Sequence, residues 1–156
     1  MIDTDQFQIG VLGAGRMSAD MAIPLFSSLS EYCLTAIGTH FPQSVSDSFQ
    51  SIVVEDYDKV IANPNCDAIY IATSNDLHFE HAAKAITAGK HVLCEKPLTT
   101  SLEEFNDLSG LAKQNGLILY EGFMYSLSDY WNVLSDYLKP GGPIGALEYI
   151  EVKFHH

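Results

Sequence analysis

Short apolar runs alternate with segments of helical periodicity along most of this chain, and this alternation limits the possible folds more than any other feature. The runs that are short enough for strands cover residues 7–12, 34–38, 52–54, 68–72, 91–94 and 117–120. The run Ala68–Ala72 is apolar throughout, as expected of a strand that helices cover on both faces. Strands separated by helices form parallel βαβ units. We therefore predict an α/β fold, a doubly wound parallel Rossmann sheet with helices on both faces.

The segments between the runs carry apolar residues three or four positions apart, which predicts helices. They cover residues 17–27, 43–50, 57–62, 77–88 and 102–115. Pro24 is expected to kink or shorten the first of them. Ser101 and Glu104 form a capping box before the last one, and Gly116 is expected to end it.

The pattern changes after Glu121. Residues 122–137 carry many aromatic side chains and indicate a helix, residues 140–143 are a Pro-Gly-Gly-Pro break, and residues 147–154 alternate as a strand would. No later segment offers that strand a partner. We expect residues 1–121 to form one domain. Residues 122–156 are then a connecting helix and the first strand of a second α+β domain that is largely missing.

Charge and hydropathy exclude several classes of partner. The chain has 156 residues, a formal net charge of −12 and only eight Lys and Arg residues, which are scattered. A surface that follows phosphates needs clustered basic residues, so neither nucleic acid nor an acidic membrane surface is expected as a partner. No apolar run approaches the roughly 20 residues that span a bilayer, and the N-terminus lacks the features of a signal peptide. The expected location is the cytoplasm.

Cysteine and histidine spacing does not predict a metal site. Cys33, Cys66 and Cys94 are an odd number without a C-x-x-C pair. Each lies in or beside an apolar run, so we expect all three to be buried and unreactive. His78 and His81 lie three apart on one predicted helix, but no third ligand accompanies them. No metal is expected.

A glycine-rich turn follows the first predicted strand and opens the first predicted helix, which is the context of a dinucleotide-binding fingerprint. Gly13 permits the tight turn, and Gly15 has no Cβ to obstruct a pyrophosphate. Ser18 occupies the third glycine position, where a small residue packs helix against strand. The exposed N–H groups and the helix dipole favour a phosphate there. The residues expected to line it are Gly13, Ala14, Gly15, Arg16 and Met17.

Two further strand ends are expected at the same edge of the sheet. At the end of the second strand, an acidic residue would hold the ribose 2′-hydroxyl of NAD, but Thr39 and His40 stand there instead. Thr39 can hydrogen-bond a 2′-phosphate and His40 can supply partial positive charge, so NADP is favoured over NAD. The alternative for His40 is a solvated loop residue. After the fourth strand come Thr73, Ser74 and Asn75, with His78 following. Ligands of open α/β sheets bind at this edge, although Asn75 is also an ordinary helix cap.

Glu95-Lys96-Pro97 closes the fifth predicted strand. Near a nicotinamide ring, a partly desolvated lysine can hydrogen-bond the substrate oxygen and help to move its proton. Glu95 can orient or charge-balance Lys96. The alternative is a surface Glu-Lys pair after a strand, but its place at the ligand-binding edge favours a catalytic lysine.

These motifs together resemble the glucose-fructose oxidoreductase / inositol dehydrogenase / rhizopine-catabolism (Gfo/Idh/MocA) family. The matching segments are residues 9–15, 70–75, 78, 89–98 and 121–125, and the segment from Gly89 to Leu98 is the most specific. Residues 143–145 also resemble the entry to the family's second domain. The segment Glu121–Tyr125 is similar to the sugar and dihydrodiol dehydrogenase branch, which generally uses NADP.

The resemblance implies an NAD(P)-dependent oxidoreductase acting on a sugar, polyol or related cyclic alcohol. Residues 1–121 then bind the cofactor, Lys96 assists catalysis with Glu95 and Pro97 setting its position, and the Lys96-Pro97 peptide bond is cis. Tyr125 is expected to reach the same cleft. The second domain supplies further substrate groups and a homo-oligomer interface, so this chain alone is expected to bind cofactor with little turnover. Two alternatives stay open: a non-catalytic NAD(P)-sensing regulatory or protein-binding module, and a structural remnant without a ligand.

Overall fold

The computed structural model describes residues 6–41, 45 and 52–153. The strands are β1 (Phe7–Leu12), β2 (Tyr32–Gly38), β3 (Val53–Glu55), β4 (Ala68–Ile71), β5 (His91–Cys94) and β6 (Leu119–Glu121). The α-helices are α1 (Ile23–Ser28), α2 (Tyr57–Ala62), α3 (His78–Thr87), α4 (Leu102–Asn115) and α5 (Asp129–Leu138). By contacts the chain divides into two compact units, Met1–Gly122 and Phe123–His156. The sheet lies in the first.

All five strand pairs of the sheet are parallel, and the strand order is β3-β2-β1-β4-β5-β6. This is the order of a dinucleotide-binding sheet, in which the winding direction reverses between β1 and β4. The reversal leaves a crevice outside the carboxyl ends of those two strands. The predicted doubly wound α/β fold is confirmed.

Each face of the sheet buries its own apolar layer. Because side chains alternate along a strand, Ile9 and Val11 of β1 point to one face and Leu12 to the other. The first layer also contains Ile23 and Ile37, and the second contains residues of α3 and α4 such as Ile86 and Leu108. Six of these seven side chains are at most 1% exposed, and each stabilises the fold by about 1.5–3 kcal/mol.

Pro24 does not break the first helix. A π-helical turn, Ser18–Ala22, precedes α1, and the N–H of Ile23 donates to the carbonyl of Ser18. Pro24 then stands in the first turn of α1, where its missing N–H costs least. The chain remains helical through this position, with one widened turn. The predicted helix at residues 43–50 falls almost wholly outside the described residues.

Helix α4 begins and ends as its sequence predicts, with one difference. The Ser101 hydroxyl accepts from the N–H of Glu104 at 3.2 Å, and Gly116 ends the helix at φ 66°. The carboxylate of Glu104 accepts instead from the N–H and hydroxyl of Thr100, at 3.0 and 3.1 Å. The Glu104 side chain therefore binds Thr100, the residue before the cap, and not the N–H of Ser101 as in a standard capping box.

The unit Phe123–His156 differs from its sequence-based prediction in two ways. A 3₁₀ turn, Met124–Leu127, precedes α5, which begins at Asp129 and not at Gly122, because the Ser128 hydroxyl caps it on the N–H of Tyr130 at 3.3 Å. The predicted strand at residues 147–154 is wrong over its described part, since residues 147–153 form no strand. A strand needs a partner for its N–H and C=O groups, and the described chain offers it none.

The cysteines are less uniform than predicted. Cys66 and Cys94 are buried, and burial raises the pKa of both thiols, that of Cys94 to about 12. Cys33 is only half-buried, because it lies in the first half of β2, beyond the cover that buries Ala36 and Ile37. The expectation of three buried cysteines is therefore wrong for Cys33.

The described residues contain neither a membrane-spanning helix nor a metal-binding cluster. In residues 6–41, 45 and 52–153, no helix is long and apolar enough to cross a membrane. Over the same ranges, no three His, Cys, Asp or Glu side chains are grouped so that they could hold a metal ion.

Candidate functional site

A cleft of about 580 Å³ lies at the carboxyl edge of the sheet, beside the point where the strand order reverses. Three predicted segments line it, at residues 13–15, 39–40 and 73–74. Sequence reasoning missed four other lining residues, which are Phe41, Tyr57, Ala72 and Leu77. Each of the four follows the end of a strand within a few residues. Their place after a strand end is the sequence signal that identifies them, because such residues lie at the carboxyl edge of a parallel sheet.

The glycine turn is held between two strands. Gly13 has φ +97°, and its N–H donates to the carbonyl of Gly38 at 2.8 Å. A Cβ at Gly13 would collide with the backbone carbonyl of Ala72. Gly15 differs, because a Cβ there would meet nothing within 4 Å. The protein itself therefore requires glycine at position 13, and the space above Gly15 is open.

The next helical turn is more exposed. Arg16 and Met17 are exposed and are not among the described residues that line the cleft. Arg16 forms a long ion pair with Asp20, with 3.6 Å between Nε and Oδ2. Such an exposed pair adds little stability, which leaves the guanidinium available to a ligand. The Ser18 side chain is fully buried, and its hydroxyl has no partner among the described residues.

Thr39 and His40 lie at the end of β2, as predicted. Thr39 is 4% exposed, and its hydroxyl accepts from the N–H of Phe41 at 3.0 Å. A hydroxyl that accepts still has its own hydrogen to donate. His40 is exposed, and its ring centroid is 4.4 Å from that of Tyr57. Burial raises the pKa of Tyr57, so this ring stays a neutral wall of the cleft.

Lys96 lies at the end of β5, the strand that pairs with β4. The N–H of Glu95 continues the strand ladder to the carbonyl of Ile71 at 2.8 Å. Lys96 and Pro97 are exposed, and neither is among the described residues that line the cleft. The peptide bond between them is cis, as the family resemblance implies. The sheet therefore brings Lys96 to the same edge as the glycine turn.

The carboxylates near Lys96 have defined partners. The Tyr70 hydroxyl donates to Glu95 Oε1 at 2.8 Å, and burial together with this bond raises the pKa of Tyr70. Glu121 Oε1 accepts from the N–H of Leu98 at 2.8 Å. Tyr70 and Glu121 hold the two sides of the loop that carries Lys96. Sequence reasoning named neither of them for that task.

The loop after β4 contacts two histidines of α3. His78 is 1% exposed, with Nδ1 2.7 Å from the carbonyl oxygen of Pro97 and Nε2 3.1 Å from that of Thr73. Nδ1 of His81 lies 3.3 Å from the Thr73 hydroxyl. Asn75 is exposed in the 3₁₀ turn Asn75–Leu77. The ring nitrogens of His78 therefore face protein carbonyls, and a direct contact with cofactor stays a prediction.

Tyr125 belongs to the other unit. It lies in the 3₁₀ turn and is 64% exposed, and its ring centroid is 5.6 Å from that of Phe123. Its expected place at the cleft stays a prediction.

Acid is expected to weaken the fold through His81. Burial lowers the pKa of His81 below its ordinary value of 6.5, so the unfolded chain takes up this proton at higher pH than the folded chain. The contribution of His81 to stability is thus complete above the ordinary value and is lost as the pH falls below it. We expect His81→Phe to reduce the drop in the free energy of unfolding between about pH 7.5 and about pH 5.5, measured by urea denaturation. An equal drop in parent and variant would contradict this assignment.

Comparisons with known proteins agree on one family. A family model described as "Oxidoreductase family, NAD-binding Rossmann fold" matches residues 7–123. A dTDP-3,4-didehydro-2,6-dideoxy-alpha-D-glucose 3-reductase of Saccharopolyspora spinosa is 31% identical over 150 residues, which are 94% of this chain and 45% of that protein. The scyllo-inositol 2-dehydrogenase (NADP(+)) IolW of Bacillus subtilis (strain 168) is 33% identical over 116 residues, which are 74% of this chain and 32% of that protein.

A solved structure has a similar fold. The crystal structure of KijD10, a 3-ketoreductase from Actinomadura kijaniata in complex with NADP, aligns with a TM-score of 0.81 at 30% identity. The alignment covers 90% of this chain and 45% of that one. The chain thus spans less than half the length of these relatives. Since the family model covers the whole sheet and the glycine turn beneath the cleft, the chain belongs to the Gfo/Idh/MocA oxidoreductase family and carries its NAD-binding Rossmann fold.

Proposed function

We propose that this chain is the nucleotide-binding part of an NAD(P)-dependent oxidoreductase that acts on a sugar, polyol or related cyclic alcohol. Residues 1–121 are the cofactor domain, and residues 122–156 begin a second domain for substrate and oligomer contacts. The printed names of its relatives support the substrate class, since they include a deoxyglucose reductase and an inositol dehydrogenase. We expect cofactor binding with little turnover from this chain alone.

The open space above Gly15 carries the proposal. It adjoins a cleft at the switch point of the sheet, where doubly wound folds bind their ligands. A pyrophosphate placed there meets the N–H groups of Ala14 and Gly15 and the positive end of the following helix. The N–H of Gly13 is bound to the carbonyl of Gly38, so Gly13 lines the site through its shape alone. Arg16 and Met17 flank it from the first helical turn. An exposed guanidinium suits a phosphate because it donates several hydrogen bonds.

The adenosine ribose is assigned to the end of β2. Thr39 offers a hydroxyl hydrogen, and His40 is exposed beside it. Residues 39–46, which come directly after β2, include no carboxylate to bind the 2′-hydroxyl of NAD or to repel a 2′-phosphate. NADP is therefore the favoured cofactor, with NAD as the alternative.

The reactive half of the cofactor is assigned to Thr73, Ser74 and Asn75, with His78 behind them. Bound nicotinamide supplies the hydride chemistry. Lys96 is the group that hydrogen-bonds the substrate oxygen and moves its proton. Glu95 and Pro97 set the position of that amine, and Tyr125 is proposed to reach the same cleft.

Calorimetric titration of the chain with NADP+ and NAD+ tests the proposal. We expect saturable binding of both, tighter for NADP+. Thr39→Val keeps the shape of the side chain and removes the hydroxyl, so it should lower NADP+ affinity about tenfold and NAD+ affinity less. Absence of saturable binding with either nucleotide would refute the proposal and favour a structural remnant. Binding by a longer protein that shows no turnover with sugars or polyols would favour the sensing module.

A further inference from the structure

His78 joins two loops that belong to different strands of the sheet. Its ring contacts the carbonyl of Pro97, next to Lys96, and the carbonyl of Thr73, in the wall of the cleft. We propose that His78 is a positioning residue that ties the Lys96 loop to the cofactor cleft, and this inference rests on the proposed roles of Lys96 and the cleft.

Burial and helix geometry make this connection rigid. His78 is the first residue of α3, and its side chain is 1% exposed. Water therefore has little access to compete for either contact of the ring. Both acceptors are backbone atoms, so the ring fixes the path of the chain and not a mobile side chain. The backbone of each loop is thereby held against a helix that packs on the sheet.

Among the described residues, hydrogen bonds hold the Lys96 loop at Glu95, Pro97 and Leu98, and Glu95 has a second bond from the Tyr70 hydroxyl. Glu95 is bound to the β4 carbonyl of Ile71 on one side, and Leu98 is bound to Glu121 on the other. His78 holds Pro97, which lies between them. The exposed Lys96 lies directly between Glu95 and Pro97. Loss of the histidine contact removes the hydrogen bond that joins the middle of the loop to α3.

The two contacts of the ring are chemically distinct. Carbonyl oxygens only accept, and a neutral imidazole has a single N–H to donate. The contact with Pro97, at 2.7 Å, is shorter than that with Thr73, at 3.1 Å. Two substitutions of His78 each keep one of these two contacts and remove the other. The amide nitrogen of Asn takes the place of Nδ1, whereas the amide nitrogen of Gln takes the place of Nε2.

The first test measures amide hydrogen exchange of Leu98, the nearest bonded N–H on the Lys96 loop. We expect His78→Gln and His78→Leu to speed its exchange about tenfold or more relative to the Val92 amide in β5, and His78→Asn to restore the parent ratio. A general loss of stability would accelerate both amides together. The matched control is His91→Leu, because His91 Nδ1 accepts from the N–H of Ile118 at the opposite end of β5. That variant should leave the exchange rate of the Leu98 amide itself unchanged. This control is scored on Leu98 alone, because the Val92 amide donates to the carbonyl of Ile118, next to the bond that the variant removes.

The second test measures NADP+ affinity by calorimetry. The Gln variant is the more strongly affected of the two in Leu98 exchange, and the Asn variant should be the more strongly affected in NADP+ affinity. His78→Gln keeps the contact with Thr73, whereas His78→Asn loses it, so NADP+ affinity should fall further in the Asn variant than in the Gln variant. Equal Leu98 exchange in the Asn and Gln variants, or an unchanged ratio in the Leu variant, would overturn the inference. If the Leu variant does not fold, the Asn and Gln pair decides alone. If the parent binds no nucleotide, the proposed function fails, and the exchange ratios still decide whether His78 holds the loop.

Discussion

Alanine at position 13 is expected to lower the free energy of unfolding by at least roughly 2 kcal/mol. Gly13 adopts φ +97°, which costs any residue with a Cβ, and the new Cβ would also meet the backbone carbonyl of Ala72 at the end of β4. Backbone atoms of a central strand cannot move aside as a flexible side chain would. Urea denaturation of Gly13→Ala, followed by circular dichroism, measures the loss.

Gly116 provides the matched control for this prediction. It has φ +66° after α4, and a Cβ there would meet nothing within 4 Å. Gly116→Ala therefore carries the backbone cost alone, about 1–2 kcal/mol. A loss at position 13 no larger than that at position 116 would show that the contact with Ala72 does not restrict the turn.

Leucine at position 15 is expected to abolish cofactor binding and leave the fold intact. Gly15 is exposed, its φ is not in the left-handed region, and a Cβ meets no protein atom within 4 Å. The free energy of unfolding should therefore change by less than about 0.5 kcal/mol. The leucine side chain would fill the space assigned to the pyrophosphate, so NADP+ affinity should fall by about 100-fold or more, since overlap with a ligand costs several kcal/mol.

Gly15→Ala gives the graded comparison for this prediction. Its single methyl group enters the same space less deeply, so its affinity should lie between those of the parent and Gly15→Leu. Calorimetry with NADP+ measures all three proteins, and urea denaturation checks that each is folded. Parent-like affinity in the leucine variant would place the pyrophosphate elsewhere and remove the main support for the proposed function.

Opposite results at two glycines of one turn would separate folding from binding. Gly13 is required by the protein's own backbone, and Gly15 is left free by it. A turn with only a structural role requires a glycine such as Gly13, but it does not require the open space above Gly15. The pair therefore tests whether the turn is structural only or a binding site.

Local sequence determined most of the elements because their signals are local. An apolar run such as Ala68–Ala72 can bury both faces only as a central strand, and the structure places β4 in the middle of the sheet. Gly116 ends α4 because a left-handed residue is needed there and glycine adopts that conformation at little cost. The doubly wound fold then follows from the alternation of strands and helices.

Tertiary structure decided what depends on residues far apart in the chain. The contacts of His78 with Pro97 and of Glu121 with Leu98 span 19 and 23 positions, and no periodicity indicates them. The predicted strand at 147–154 failed for the same reason, since a strand exists only where a partner accepts its hydrogen bonds. Sequence by itself determined which residues reach the carboxyl edge of the sheet, because the alternation of strands and helices makes the strands parallel and so brings their carboxyl ends to one edge. Only the packed structure decided which of them touch, because contact depends on how helices and loops from separate strands meet.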